Sequence, residues 1–132
     1  MFLLDTNTWI AYLKSAESKV RLKLASVTPA EIAVCSIVKA ELWYGALKYG
    51  APERRRATLS TLLCPFRSFP FADDAVEEYA NLRHELDRRG QNIGPNDLMI
   101  AAIAKANELT LVTNNTKEFS RVSNLQLEDW IS

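Results

Sequence analysis

Histidine is nearly missing from this chain. The 132 residues hold one, His84, in a charged stretch with Arg83, Glu85 and Asp87. A lone histidine excludes any two-histidine acid–base pair within one chain, and no Ser-His-Asp or Cys-His set can be assembled around it. A surface position is expected for it. Cysteine is scarce too. Cys35 and Cys64 stand in apolar surroundings without metal-ligand spacing, so both read as reduced core thiols in a reducing compartment. The four glycines form no phosphate-cradling loop, which argues against nucleotide-dependent group transfer. No apolar run is long enough to span a bilayer. Asp5 interrupts the N-terminal apolar run too early for a signal peptide. A cytoplasmic location is the resulting expectation, with no membrane partner. Net charge is also lacking: 16 basic side chains balance 16 acidic ones. A polyanionic partner would have to be held by local patches.

What is present is alternation. The length suits one compact unit, so residues 1–132 are expected to form a single domain. Phe2-Leu3-Leu4 reads as a buried strand, and Thr6 to Lys14 as a helix capped by Thr6 or Asn7. Ser18 to Ser26 reads as a second helix, basic on one side through Lys19, Arg21 and Lys23. Ile32 to Cys35 is a second strand. Ser36 is expected to cap a helix with Ile37, Ala40, Tyr44 and Leu47 at helical spacing, stopped by Gly50 and Pro52. Glu53 to Leu63 completes a helical hairpin. A third strand spans Phe66 to Phe71. A long helix follows, capped by Asp73 or Asp74, with Val76, Tyr79, Leu82 and Leu86 on its apolar face and Gly90 past its end. A helix from Asn96 to Asn107 and a strand from Leu109 to Val112 precede a polar loop and a short tail. Strands alternating with helices predict a parallel sheet between helical layers.

Asp5 holds the most informative position. It ends the first strand, and ligands of open α/β sheets bind at the carboxyl ends of strands. It is equally well placed to cap the next helix. Glu41, mid-helix, reads alone as a solvated surface acid. Asp97, just after Gly94-Pro95-Asn96, reads alone as a first-turn acid favoured by the helix dipole, although Asn96 is there to cap. Together the three carry more weight. Converging carboxylates repel, and without compensation they take up protons. Mg²⁺ or Mn²⁺ would relieve this through oxygen ligands. Such a site can activate water for in-line displacement at phosphorus.

Four motifs in order, Leu4-Asp5-Thr6-Asn7, Val38 to Gly45, Gly94 to Ala101 and Leu111 to Phe119, closely resemble those of PIN-domain ribonucleases. More narrowly they resemble the VapC toxins of bacterial toxin–antitoxin pairs, over essentially the whole chain. The resemblance implies a PIN-like α/β/α sandwich around a parallel sheet of four or five strands. It implies an endoribonuclease dependent on Mg²⁺ or Mn²⁺, with Asp5, Glu41 and Asp97 as the catalytic and metal-binding acids. The family often has a fourth acid where Asn115 stands here; either Glu118 substitutes for it, or one metal plus substrate suffices. Thr113 matches a supporting polar position. Asn7 and Asn96 either support the site or cap helices. A VapB-type antitoxin, inserting a basic side chain near the acids, is the implied partner. The implied substrate is structured RNA, with the anticodon loop of initiator tRNA favoured, and a homodimer is expected. The rival is a catalytically degenerate binding module on the same fold. Three basic clusters could guide RNA: Lys14 with Lys19, Arg21 and Lys23; Arg54-Arg55-Arg56; and Arg88-Arg89.

Overall fold

The computed structural model describes all of residues 1–132. Five short strands, β1 (Phe2–Leu4), β2 (Ile32–Cys35), β3 (Arg67–Phe69), β4 (Thr110–Val112) and β5 (Leu127–Glu128), form one sheet in the order β3-β2-β1-β4-β5. Every pairing is parallel. Parallel neighbours need crossovers, and helices supply them. These are α1 (Thr6–Lys14), α2 (Lys19–Ala25), α3 (Ser36–Lys48), α4 (Pro52–Leu63), α5 (Asp73–Arg88), α6 (Pro95–Ala106) and the short α7 (Thr116–Phe119).

β1 sits at the middle of the sheet, with β2 on one side and β4 on the other. Both faces of these strands are covered, so Leu3, Leu4, Ala33, Val34, Leu111 and Val112 are wholly buried. That double burial is why their sequences are continuous apolar runs and not alternating ones. β5 is the strand that a separate reading of the tail misses. It has only two half-buried residues, too few for any period to register.

Five expected caps and faces need correction. The cap of α1 is Asp5 itself, whose side chain accepts from the Thr8 amide; neither Thr6 nor Asn7 does this. Ser36 is the first residue of α3, after an uncapped Cys35. Asp73 and Asp74 lie inside α5, after Ala72. On α5 the buried positions are Ala75, Leu82 and Leu86, while Val76 is exposed, one residue off the face expected from its hydropathy. On α3 the buried stripe is Val38, Leu42 and Ala46. Ala40, Tyr44 and Leu47 point outward. Of the two cysteines, Cys35 is buried, and burial pushes its thiol up to about 11, so it is inert. Cys64 is exposed at the end of α4 and is not a core thiol. No helix is long and apolar enough to cross a membrane.

Two turns aim the site. α5 ends in a Schellman arrangement: Gln91 N–H donates to the Leu86 carbonyl at 2.9 Å and Gly90 N–H to that of Asp87 at 3.1 Å. The positive φ this needs, 67° at Gly90, suits a residue without Cβ. The chain then turns through Gln91–Gly94 into α6, whose first residue is Pro95, where a missing N–H costs nothing.

Candidate active site

Asp5 is 6% exposed at the end of the central strand. Its amide donates to the Val112 carbonyl at 3.0 Å, which ties the end of β1 to the end of β4. Its Oδ1 accepts from the Thr8 amide at 2.9 Å and the Thr8 hydroxyl at 2.7 Å. Cap and ligand are therefore not alternatives. One carboxylate oxygen, Oδ1, caps α1, and the same carboxyl also takes a hydrogen bond from Thr113. Burial raises the Asp5 carboxyl, against the lowering effect of hydrogen bonds from Thr113 and Thr8, and Glu41 adds repulsion. Thr113, wholly buried at the end of β4, thus faces Asp5. Its hydroxyl also accepts from the Asn115 amide at 3.0 Å.

The Thr8 hydroxyl lies 3.1 Å from the Val112 carbonyl as well. Thr8→Val keeps the shape and removes this donor in a fully buried place. Both acceptors keep a second donor, the Asp5 amide at Val112 and the Thr8 amide at Asp5, so the loss is the net worth of a hydrogen bond, about 1 kcal/mol. A drop of that size in the urea unfolding free energy is the expected result.

Glu41 arrives from the second turn of α3. Thr6 Oγ1 donates to its Oε1 at 2.6 Å, and Asn96 Nδ2 reaches its Oε2 at a long 3.5 Å. Glu41 is half-buried, so the bland expectation of a solvated surface acid fails. Asn96 does not cap α6; Gly94 occupies that position. Asn7 is exposed on α1 and takes no part in the hydrogen bonds around the acids. Thr6, which sequence reasoning passed over, does this work instead. Its adjacency to Asp5 was the available signal.

Asp97 comes from the first turn of α6. Burial pushes its carboxyl up to about 6, reinforced by the negative charges of Glu118, Glu41 and Asp5, and Asp97 shares a hydrogen bond with Glu118. Glu118 shifts the other way. A hydrogen bond from Asn115 leads in lowering its carboxyl, followed by one from the Gly94 amide. The distances are 3.0 Å from Asn115 Nδ2 and 3.1 Å from Gly94 N. Two neighbouring carboxyls with opposed environments divide into a proton holder, Asp97, and a hydrogen-bond acceptor, Glu118. Glu118 therefore stands beside Asp97, with Asn115 as its support.

The side chains expected together are thus brought to one edge: Asp5, Glu41, Asp97, Thr113, Asn115 and Glu118, all at the carboxyl ends of β1 and β4. No three acids are drawn into a ready-made cation cage. The donor set nonetheless suits a hard divalent cation. Every donor is oxygen, and the burial and mutual repulsion that raise Asp5 and Asp97 are what bound positive charge would relieve.

The carboxylates thus gather at the central switch point of a parallel sheet, where open α/β folds bind their ligands. The chain belongs to the PIN-domain family, whose model matches residues 2–125. Within that family its relatives are VapC ribonucleases. It is 40% identical over 131 residues to "Ribonuclease VapC2" of Rickettsia felis, covering 98% of each chain. It is 36% identical over 129 residues to the "tRNA(fMet)-specific endonuclease VapC" of Shigella flexneri, covering 98% of this chain and 97% of that one. Among solved structures, VapBC2 from Rickettsia felis bound to a promoter DNA fragment superimposes with a TM-score of 0.90 at 38% identity, over 98% of each chain.

Proposed function

We propose that this protein is the toxin of a VapBC-type pair, an endoribonuclease that hydrolyses a phosphodiester with Asp5, Glu41 and Asp97 as its catalytic acids. The observation that carries this is the gathering of these acids with Glu118 at the ends of β1 and β4. Full-length similarity to VapC ribonucleases supports it. The favoured substrate is the anticodon loop of initiator tRNA, in line with the Shigella relative's name. A VapB-type antitoxin neutralises the enzyme, as the VapBC complexes among its neighbours suggest. A homodimer in the bacterial cytoplasm is the setting we assign.

Asp5, Glu41 and Asp97 would hold a Mg²⁺ or Mn²⁺ ion, with Glu118 beside them. When bound, such an ion supplies Lewis acidity toward a phosphate and lets water act as a nucleophile at neutral pH. The chain supplies the rest. Thr8 and Thr113 fix the orientation of Asp5. Thr6 fixes Glu41. Without an ion Asp97 is raised to about 6 by burial and by Glu118, Glu41 and Asp5; a bound cation would hold it as the carboxylate, with the Glu118 carboxylate beside it. Asn115 gives the degenerate-module rival no support, because its amide positions Glu118.

Water attacking phosphorus in line opposite O3′ breaks the P–O3′ bond and leaves a 5′-phosphate and a 3′-hydroxyl. End-sequencing of RNA cut by the purified protein with Mg²⁺ should find those ends, and none with EDTA. Products ending in 2′,3′-cyclic phosphate would overturn the mechanism, since they require the ribose hydroxyl as nucleophile.

A further inference from the structure

The zero net charge hides a strong segregation. The α3–α4 hairpin, residues 36–63, carries Lys39, Lys48, Arg54, Arg55 and Arg56 against Glu41 and Glu53, a local charge of +3. α5 carries six acids against Arg83 and Arg88, a charge of −4. The hairpin also bears the largest cluster of exposed apolar side chains: Tyr44 is 62% exposed, Leu47 73% and Tyr49 60%. These residues continue the outward face of the helix that delivers Glu41. Tyr44 and Lys48 follow Glu41 by three and seven residues, about 4.5 and 10.5 Å along the axis and on nearly the same side.

The rings are not bare. Lys48 Nζ lies 5.4 Å from the Tyr44 ring centre, the Arg55 guanidinium 5.6 Å from that of Tyr49, and the Arg56 guanidinium 4.9 Å from that of Trp43. Protein-docking patches also enrich tyrosine and arginine but deplete lysine, and here Lys48 lies over Tyr44. Single-stranded nucleic acid is gripped by aromatic faces for bases with cations beside them for phosphates. The other basic clusters are partly spent on structure. Arg21 donates to the carbonyls of Tyr12 and Ser15, and Arg89 to that of Arg121.

We propose that the outward face of the α3–α4 hairpin, Tyr44 and Tyr49 with Lys48 and Arg54-Arg55-Arg56, is a stacking platform for the single-stranded RNA segment flanking the cleaved bond. It rests on the ribonuclease function proposed above, and it assigns the substrate strand a direction, out from Glu41 along α3. Stacking would take a tyrosine ring, and the flanking cations would take the phosphates of the same nucleotides.

The test is binding of a fluorescein-labelled 12-nucleotide single-stranded RNA to the full chain in EDTA, where no cleavage is needed for a signal. The expected result is that Tyr44→Ala and Tyr49→Ala each weaken binding about tenfold. Tyr44→Phe should bind as wild type, and Tyr44→Leu should not. Changing Arg54, Arg55 and Arg56 to Ser should lower the slope of log affinity against log salt by about 2. Circular-dichroism melting establishes that each variant is folded. With Mg²⁺, the alanine variants should raise KM and leave kcat near wild type. If folded alanine variants bind the oligonucleotide within twofold of wild type, the platform is overturned. Equal binding by Tyr44→Leu and wild type, or loss of antitoxin affinity alone, would also overturn it and make the face a protein-docking surface. A failure of the ribonuclease function itself looks different: wild-type protein would leave RNA uncut in Mg²⁺, whatever its affinity in EDTA.

Discussion

Asp97→Asn should silence RNA cleavage by roughly 10³-fold, the size of the several kcal/mol that a cation's charge contributes at a phosphoryl site. The same substitution should leave the fold intact. Asparagine has the shape of aspartate, and Asp97 caps nothing: Gly94 holds that position on α6. What is removed is a carboxylate pressed against Glu118, Glu41 and Asp5. The loss should appear in kcat with little change in the affinity for RNA measured in EDTA. Asp5→Asn should behave alike, since an amide oxygen can still accept from Thr8. Steady-state cleavage of a labelled RNA, paired with growth after induction, measures the effect. Cleavage within tenfold of wild type by either variant would remove these acids from the mechanism.

The second large effect is on stability and has the opposite sign. The Asp97 carboxyl sits at about 6 in the folded chain, against an ordinary value of 3.8. A group raised by folding stabilises the fold where it is protonated in the folded state. Its contribution is complete below pH 3.8 and is lost as the pH climbs through 6. By linkage this difference amounts to about 2–3 kcal/mol, trimmed for partial exposure. Asp5, also raised, acts in the same direction. Glu118, lowered by its bond from Asn115, acts against them, favouring the fold above its ordinary range. Urea titrations in EDTA should therefore show wild type losing stability relative to Asp97→Asn between pH 4 and pH 6.5. Mg²⁺ at a hundredfold its dissociation constant should restore about 2.7 kcal/mol to wild type at pH 7, and much less to the variant. Parallel pH curves for the two proteins would sink the idea that repulsion is stored here.

Much of this was legible in the sequence, for identifiable reasons. β1 and α1 were bounded correctly because an apolar triplet ended by Asp5 leaves few alternatives. Asp5 and Asp97 could be singled out because each stands at an element boundary, whereas Glu41, inside α3, was singled out only together with them and by the family resemblance of its motif. The outward face of α3 was not legible. That helix is apolar on both sides, so its period fixes a spacing but not which stripe turns inward; only packing against the sheet chooses Val38, Leu42 and Ala46. Caps misled for a related reason. Ser36, Asn96 and Asp73 are good cap residues by type, but each lies inside its helix, Asn96 one residue past Pro95 with its Nδ2 toward Glu41. The fourth acid needed the fold as well, since only the brief α7 turns Glu118 toward Asp97 while Asn115 holds it from behind.

The double duty of Asp5 bears on how such a gene can be inactivated. One of its oxygens caps the helix that follows the central strand, and its amide joins β1 to β4. Replacements at Asp5 that lose the cap would cost roughly 1 kcal/mol of fold as well as the chemistry. At Asp97 the chemistry can be lost while the fold is strengthened. Cells escaping the toxin by point mutation should therefore accumulate abundant, inert protein from changes at Asp97, and scarcer, poorly folded protein from changes at Asp5. Inert protein that folds well can still occupy antitoxin, so the two escape routes would leave different marks on any intact copy of the pair in the same cell.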